Sequence, residues 1–441
     1  MEAVEHIVSS VGAFLRKRSP YAILLMGFGC LILFGALLLL LPAARQPGME
    51  LSFLDALFTA TSATCVTGLV TVDVAATFNL FGRTVILCLI QLGGLGVATV
   101  GVFTVMLLGR RIGLKERVLL KESLNQSSIR GIVSLMRWIV IFTASVEGAG
   151  ALLSFMIFRE TYEPLQALGL GIFHSISSFN NAGFDLFGDY QSLIPYQHDG
   201  YLLMLTSALI IIGGLGYVVI RDLFIVKNRE LSLHSKIVLS TTAALLFGGT
   251  LVFKLNSELN WLGAFFQSVT CRTAGFAAAD MAGLSQGALL FSMILMLVGA
   301  SPGSTGGGMK TTTVFTVLVC AFRTLRREPL HAFKREITME QRDRASVIFV
   351  LMLTATLIAT LLILFFEPAL SMTEALFEVI SALCTVGLTM GCTPALSSAS
   401  KLVLILAMFM GRVGLLTMAY AWSPKERGGS LRRPAEKYII G

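Results

Sequence analysis

Long apolar runs alternate with short polar stretches along the whole chain. The runs lie at about 20–42, 83–109, 135–158, 200–226, 236–255, 286–324, 345–366 and 401–422. A helix of about 20 apolar residues spans the roughly 30 Å hydrocarbon core of a bilayer. The pattern therefore predicts eight membrane-spanning helices in four consecutive pairs.

A short, mildly polar stretch lies between the two helices of each pair, and its four copies resemble one another. In each copy a Phe precedes a Gly by ten residues: Phe58/Gly68, Phe173/Gly183, Phe265/Gly275 and Phe377/Gly387. Four residues after the Phe come Ser62, Ser177 and Ser381, whereas the third copy has Val269 there, with Ser268 just before it. Each stretch is too short to span a bilayer, and non-helical backbone at membrane depth persists only where protein buries it or it lines a water-filled cavity. We therefore expect four half-helices, each ending at a glycine turn.

The four glycine turns are expected to aim backbone carbonyl groups at one axis. Glycine allows the backbone conformation that such a turn needs, and rings of carbonyl oxygens replace the hydration shell of a monovalent cation. A purely structural re-entrant element is less favoured, because four copies occur in register. The candidate ion-selectivity filter, with K⁺ at its carbonyl oxygens, comprises Val66, Thr67, Gly68, Asn181, Ala182, Gly183, Thr273, Ala274, Gly275, Thr385, Val386 and Gly387.

Composition agrees with a membrane protein, since 55% of the 441 residues are hydrophobic and only 14% are charged. Most of the positive charge lies in five segments, 1–19, 110–130, 221–236, 323–344 and 423–441, which hold 25 of the 34 Lys and Arg residues. The positive-inside rule places these segments and both termini in the cytoplasm and the repeats outside. The basic segments then suit anionic lipid or a cytoplasmic partner. No interleaving of basic and aromatic residues favours nucleic acid.

Acidic residues are frequent in the outer segment of the second pair, where they are Glu160, Glu163, Asp185, Asp189 and Asp199. A negative outer mouth concentrates cations, although ordinary solvated loop charges explain the pattern equally well. The seven cysteines have no metal-type spacing, and the five histidines are dispersed. No set of nucleophile, base and acid is evident, so the sequence does not predict an enzyme.

The last helix of the third pair contains a glycine-rich segment, residues 299–310, which reads GASPGSTGGGMK. Its glycines and Pro302 are expected to break the helix and form a mobile loop below the repeats. A phosphate-binding loop is disfavoured because Met309, not Lys, follows Gly308, and no strand precedes it. A plain packing kink remains open. The candidate gate comprises Gly303, Ser304, Thr305, Gly306, Gly307, Gly308, Lys310 and Arg412.

Arg412 is included because it lies deep in the last apolar run, between Gly411 and Gly414. A buried arginine is costly in a membrane and usually faces a pore or a partner. We expect it to hold the glycine-rich segment and to raise the barrier for cations, with a structural arginine bound by carbonyls as the alternative. Glu147 is a weaker candidate of the same kind. The glycine clusters at 93–96 and 213–216 predict close helix packing.

The four repeat loops resemble the degenerate filter loops of the Trk/Ktr/HKT potassium transporter superfamily. They read TCVTG at 64–68, FNNAGF at 179–184, CRTAGF at 271–276 and LCTVGL at 383–388. The resemblance covers nearly the whole chain, and the length is similar to the Ktr-type membrane subunit rather than the longer Trk type. It implies K⁺ uptake across the plasma membrane, a homodimeric membrane part, and a cytoplasmic ring of regulatory subunits that bind the nucleotide in place of this chain.

The resemblance also implies an intramembrane gate at the glycine-rich segment with Arg412 beside it. Members with Ser in the first loop tend to pass Na⁺, so Gly68 favours K⁺. Only the fourth loop has the Thr-Val-Gly order, which indicates a filter less stringent than that of a potassium channel. The alternative is a Na⁺-selective or Na⁺-coupled carrier of the same fold, or a K⁺ symport with Na⁺ as the activating ion.

The expected fold is an all-α integral membrane protein with four pseudo-symmetric helix–pore loop–helix units around one central pore. The predicted order is a cytoplasmic segment 1–19, pore unit one 20–109, a basic loop 110–134, pore unit two 135–226, pore unit three 227–324, a basic loop 325–344, pore unit four 345–422 and a cytoplasmic tail 423–441. Control of flow is expected to fall to units three and four, because only the third is predicted to have a broken last helix and only the fourth a buried Arg.

Overall fold

A computed structural model describes residues 19–107, 112–124, 128–225 and 231–422. Within these ranges the fold is almost entirely helical. The exception is a hairpin of two short antiparallel strands, β1 (His331–Ala332) and β2 (Arg335–Glu336). Residues 1–18 of the expected N-terminal segment, the C-terminal tail and parts of the basic segments 110–130 and 221–236 lie outside the described residues.

The helices follow the order of the apolar runs and repeats. They are α1 (Pro20–Leu40), α2 (Phe53–Cys65), α3 (Val74–Thr77), α4 (Leu80–Leu95), α5 (Val97–Leu107), α6 (Leu114–Ser123), α7 (Ile132–Phe158), α8 (Pro164–Phe179), α9 (Gly200–Leu215), α10 (Tyr217–Ile225), α11 (Leu233–Asn256), α12 (Trp261–Thr270), α13 (Gln286–Leu297), α14 (Thr311–Leu325), α15 (Met339–Phe366), α16 (Met372–Leu383), α17 (Ser398–Val413) and α18 (Leu415–Trp422). Short 3₁₀ turns lie at Pro42–Ala44, Ile194–Tyr196 and Thr393–Ala395.

Four of these helices, α1, α7, α11 and α15, are each long and apolar enough to cross a membrane. Three bent pairs, α4 with α5, α9 with α10 and α17 with α18, raise the number of candidate spans in the described residues to seven if each pair counts as one. α13 and α14 are shorter apolar helices on either side of the glycine-rich segment. Several candidate membrane-spanning helices are therefore present, as the apolar runs predict.

The prediction that only the third pair has a broken last helix is wrong. The runs at 83–109, 200–226 and 401–422 each turn sharply, by 94°, 98° and 88°. Each turn is centred on a glycine, Gly96, Gly216 or Gly414, with φ of 85°, 90° and 93°. A residue with positive φ cannot continue a right-handed helix, and glycine adopts that conformation without a Cβ penalty. Hydropathy does not reveal the turns because both sides of each glycine are apolar.

A half-helix precedes each repeat glycine, as the repeats predict: α2, α8, α12 and α16. Three of them begin at a side-chain cap, in which Ser52, Asn260 and Ser371 accept a hydrogen bond from a first-turn amide. At Ser371 the Glu374 side chain also accepts from the cap backbone, which completes a capping box. α8 instead starts with Pro164, whose missing N–H is not needed there. Local sequence therefore fixes where each half-helix starts.

Each half-helix packs against the long helix before it, so the chain forms α1–α2, α7–α8, α11–α12 and α15–α16 pairs. α17 also packs against α2, which joins the end of the chain to its beginning. At this contact Lys401 Nζ lies 2.9 Å from Asp55 Oδ1. The four repeat regions are thus brought around one centre.

Candidate functional site

The four repeat glycines form a closed ring. A Cβ built on Gly68 would lie 2.6 Å from the carbonyl oxygen of Ala182, and one on Gly183 would lie 2.7 Å from that of Ala274. A Cβ on Gly275 would lie still closer to the carbonyl oxygen of Val386, and one on Gly387 to that of Thr67. In every case the next glycine Cα would be only 3.0 to 3.2 Å away. The order around the ring is 68, 183, 275 and 387, and no side chain fits at these positions.

The backbone of the four loops alternates in handedness. The residue two before each glycine has positive φ: 57° at Val66, 57° at Asn181, 70° at Thr273 and 51° at Thr385. The glycine itself also has positive φ, from 69° to 97°. Non-glycine residues rarely adopt this conformation, and such strain collects at functional sites. Alternating handedness turns successive carbonyl groups toward the same side, which is the arrangement that cation coordination requires.

A hydroxyl group supports each loop from below. Ser62 Oγ accepts from Gly68 N at 3.1 Å, and Ser381 Oγ accepts from Gly387 N at 3.0 Å. Ser177 Oγ donates instead to Phe184 O at 2.7 Å. In the third loop Thr270 Oγ1 donates to Phe276 O at 2.7 Å. Thr270 thus supplies the hydroxyl group that a serine supplies in the other three loops, because the equivalent position in this loop is Val269. Ser268 points away and donates to Leu246 O at 3.1 Å.

In three of the units, a glycine of the next long helix (α4, α9 or α17) packs closely against the C-terminal end of the half-helix. A Cβ on Gly93, Gly213 or Gly411 would overlap the carbonyl oxygen of Thr64, Phe179 or Leu383, respectively. The close packing that the glycine clusters predict is thus confirmed at these positions. Because the C-terminal ends of the half-helices carry partial negative charge, this packing concentrates negative potential at the ring.

The glycine-rich segment lies directly against three of the four loops. Thr305 Oγ1 donates to Phe179 O at 3.2 Å, at the second loop. Gly307 N donates to Thr385 Oγ1 at 3.1 Å, at the fourth loop. A Cβ on Gly306 would overlap Thr273 Oγ1, at the third loop. The two ends of the segment meet, since Gly299 N donates to Met309 O at 2.8 Å. The segment is therefore a compact loop beneath the ring rather than a kinked helix.

Two cationic side chains hold this loop. The Arg412 guanidinium donates to the carbonyl oxygen of Thr305 and, on α4, to those of Gly93 and Gly94, the last at 3.0 Å. Lys310 Nζ donates to Gly306 O at 2.6 Å. The expected proximity of Arg412 to the segment is thus observed, and it binds carbonyl oxygens, as the structural alternative also supposes.

Cavities lie on both sides of these loops. One of about 240 Å³ adjoins the glycine-rich segment and is lined by Tyr21, Glu122, Tyr217, Lys310 and Arg412, among others. A smaller one of about 40 Å³ lies beside Gly68 and Gly183 and is lined by two carboxylates, Asp73 and Asp185, and by Tyr190. The sequence pattern indicates an acidic contribution from Asp185 but gives no sign of Asp73.

Two buried carboxylates contact the loops: Glu147, a weaker candidate in the sequence, and Glu378, which the sequence pattern does not single out. Glu147 interacts with Gln91 and Asn180 next to the second loop. Glu378 is completely buried in α16 and accepts hydrogen bonds from Thr393 Oγ1 at 2.8 Å and Met390 N at 3.2 Å, which anchor the chain after Gly387. The signal available in the sequence is only an acidic residue in an apolar stretch.

The chain is similar in sequence to known cation transport proteins over nearly its whole length. A family model described as "TrkH: Cation transport protein" matches residues 8–241 and 231–428. The chain is 39% identical to the potassium/sodium uptake protein NtpJ of Enterococcus hirae, over 97% of this chain and 98% of that one. It is 37% identical to the Ktr system potassium uptake protein D of Bacillus subtilis, over 98% and 99% of the two chains.

Structural similarity points the same way. The crystal structure of the potassium transporter TrkH from Vibrio parahaemolyticus superimposes with a TM-score of 0.73. That match covers 92% of this chain and 86% of the other, at 19% sequence identity. At that identity the likeness establishes the fold alone.

Proposed function

The chain belongs to the TrkH family of cation transport proteins, and from that premise we propose that it carries K⁺ into the cell across the plasma membrane. The ion passes through the ring of repeat loops and is released when the glycine-rich segment moves. Several full-length relatives are named as potassium uptake proteins. Transport of this kind needs no covalent chemistry, because the membrane potential supplies ~2.3 kcal/mol per charge per 100 mV.

The glycine ring is the observation that carries this proposal. The carbonyl oxygens of Thr67, Ala182, Ala274 and Val386 each lie beside the glycine of the adjacent loop. Together with the carbonyls of the residues that precede them, they offer stacked oxygens in place of water around K⁺. The filter residues are those that the repeats predict, at 66–68, 181–183, 273–275 and 385–387.

The gate is the glycine-rich segment held by Lys310 and Arg412. Its contacts with three of the repeat loops support a position on the path of an ion that leaves the ring. Arg412 adds a positive charge, which raises the energy of a cation there. Gly303, Ser304, Thr305, Gly306, Gly307 and Gly308 form the part that moves.

The proposed topology has eight spans in four pseudo-symmetric units. α13, the glycine-rich segment and α14 together form the eighth span, beside the seven candidate spans of the described residues. Both termini face the cytoplasm and the repeats face outside, in agreement with the distribution of Lys and Arg.

The proposed assembly is a homodimer that docks a cytoplasmic ring of nucleotide-binding regulatory subunits through the basic segments 110–130, 221–236 and 323–344. Three relatives carry the name Ktr system, which is consistent with a multi-component system. Nucleotide-responsive transport by the purified chain alone would contradict this arrangement, whereas a response only after a regulatory subunit is added would support it.

The decisive test is uptake of K⁺, Rb⁺ and Na⁺ in cells that lack other K⁺ uptake systems. We expect this chain to restore growth at low K⁺ and to take up K⁺ and Rb⁺ in preference to Na⁺. If the protein reaches the membrane but neither K⁺ nor Rb⁺ uptake rises above that of empty cells, the proposed function is wrong.

A second candidate is Na⁺ transport, or K⁺ transport activated by or coupled to Na⁺. The specific support is the name of the Enterococcus hirae relative, a potassium/sodium uptake protein. Measuring K⁺ uptake with Na⁺ replaced by choline tests the coupling to Na⁺, because an uncoupled K⁺ pathway keeps its rate and a coupled one loses it.

A further inference from the structure

Glu147 is buried in the middle of α7, where it contacts the second repeat loop. It is 8% exposed. Its carboxylate accepts hydrogen bonds from Gln91 Nε2 at 3.0 Å and from Asn180 Nδ2 at 2.8 Å. Asn180 Nδ2 also donates to Gln91 Oε1 at 2.9 Å, which closes a triangle of three side chains. A buried carboxylate requires such donors, since it has lost its hydration.

The triangle lies at the point where the second loop begins. Asn180 caps the C-terminal end of α8 and immediately precedes Asn181, which has the left-handed backbone with φ of 57°. A second tie joins the same two helices, because Ser175 Oγ donates to the backbone carbonyl of Glu147 at 2.7 Å. The side chain of Glu147 therefore holds the residue next to the proposed ion-binding carbonyls.

The Asn180 amide has fewer hydrogens to donate than there are acceptors around it, and Glu147 is one of those acceptors. Asn180 Nδ2 has two hydrogens but three acceptors within reach: Gln91 Oε1, Glu147 Oε1 and, at 2.9 Å, Ile176 O. Glu147 Oε1 is therefore one of the acceptors that fix the position of this amide. A glutamine at position 147 would keep one acceptor oxygen but present an NH₂ group in place of the other. Either Gln91 Nε2 or Asn180 Nδ2 would then lose its acceptor, and the position of Asn180 would be less well defined.

The triangle also adjoins the contacts of Arg412. A Cβ on Gly94 would overlap Asn180 Oδ1, and Gly94 O accepts from Arg412 Nη2 at 3.0 Å. One turn of α4 thus contacts both the anchor of the second loop and the arginine that holds the glycine-rich segment. The equivalent residues three before the other glycines are Cys65, Arg272 and Cys384, so this amide–carboxylate anchor belongs to the second loop.

We propose that Glu147 is a positioning residue that determines ion specificity at the second loop. Through Asn180 it holds the carbonyl groups of Asn181 and Ala182 in the directions that bind K⁺. The proposal rests on the proposed function, uptake of K⁺ through the repeat loops. A purely structural Glu147 would change the amount of folded protein but leave the kinetics of each folded molecule unaltered.

The test compares Glu147→Gln with wild type in cells that lack other K⁺ uptake systems. K⁺, Rb⁺ and Na⁺ uptake are measured as KM and maximal rate per molecule in the membrane. Loss of one net hydrogen bond corresponds to up to about tenfold, so we expect the KM for K⁺ to rise and the K⁺:Na⁺ ratio to fall by up to that factor. Glu160→Gln is the matched control, because Glu160 is exposed just beyond the end of α7 and should behave as wild type.

An unchanged KM and ion ratio in Glu147→Gln, whatever its protein level, overturns the proposal. If Glu147→Gln does not accumulate, Gln91→Met is used, since it removes the other donor to the carboxylate and is expected to shift KM and the ion ratio in the same direction. Unchanged values there overturn the proposal equally. Wild-type protein that takes up no K⁺ refutes the proposed function itself, which separates the two failures.

Discussion

The guanidinium group of Arg412 donates a hydrogen bond to the carbonyl oxygen of Thr305, 107 residues earlier in the chain. The same side chain reaches Gly93 and Gly94 on α4. Arg412 thus connects the glycine-rich segment of the third unit with the first unit, although it belongs to the fourth. Together with Lys310, Arg412 therefore helps to keep the segment beneath the ring.

Replacing Arg412 with Gln should increase K⁺ flux. The shorter, neutral side chain cannot reach all three carbonyl groups, and it also removes a positive charge from the proposed ion path. Hydrogen bonds to a charged group are worth about 1.5–3 kcal/mol, so we expect roughly a tenfold increase. Rb⁺ uptake per molecule in the membrane measures it, with Arg159→Gln, at an exposed position just after α7, as the control. Unchanged or lower flux at equal protein level would contradict the role of Arg412 in holding the gate.

Removing residues 303–308 should also raise flux, by eliminating the part of the segment that contacts the ring. The chain can close after this deletion, because Gly299 N already donates to Met309 O at 2.8 Å. The ion preference should stay as in wild type, since the repeat glycines are untouched. Rb⁺ flux and the K⁺:Na⁺ ratio are measured together. No increase, in a protein that keeps its ion preference and normal level, would remove the gate assignment.

Much of this arrangement could be predicted from the sequence, because it depends on local signals. The spacing from Phe58 to Gly68 and its three counterparts marks the half-helices and turns, and Ser52 and Ser371 mark two of the helix starts. What escaped prediction depends on backbone angle or on distant contacts. The turns at Gly96 and Gly414 lie inside continuous apolar runs, so hydropathy passes over them.

The third loop shows a different limit of sequence reasoning. The pattern expects a hydroxyl at position 269, where the residue is Val269, and Ser268 is its nearest neighbour with that group. The structure uses Thr270 instead, because the half-helix α12 ends at that residue and turns its hydroxyl toward Phe276 O. A shift of one position along a helix rotates a side chain by about 100°, so the choice between adjacent residues depends on how the helix packs.

Replacing Gly68 with Ser should reduce discrimination between K⁺ and Na⁺. A Cβ at this position would lie 2.6 Å from Ala182 O, and the backbone φ of 95° is unfavourable for any other residue. The carbonyl of Ala182 must therefore move, and we expect the K⁺:Na⁺ uptake ratio to fall by about tenfold or more. Gly101→Ser is the control, since a Cβ at Gly101 meets nothing within 4 Å. An unaltered ratio would favour the Na⁺ carrier over the K⁺ pathway.

The ion pair of Lys401 and Asp55 should stabilise the closed ring of helices. Their side chains are only 13% and 19% exposed, and the pair joins α17 to α2. Because removal of one partner leaves the other charge poorly solvated, Lys401→Met or Asp55→Asn should each lower stability by about 1–3 kcal/mol, and the double variant should lose less than the sum. Thermal unfolding of the detergent-solubilised protein measures this cycle. Additive losses would show that the two side chains act independently.

The pH dependence of that ion pair is a separate prediction. Burial alone would raise the pKa of Asp55, but hydrogen bonds from Lys401 and Ser52 outweigh it, so the pKa lies below its ordinary value of 3.8. A lowered carboxylate pKa contributes stability that is fully present above the unfolded-state value and is lost as the pH falls through the folded-state value. The penalty of Lys401→Met should therefore be equal at about pH 6 and pH 8. A penalty that disappears between these two values would show that Asp55 titrates near neutral pH and that Lys401 does not hold it ionised.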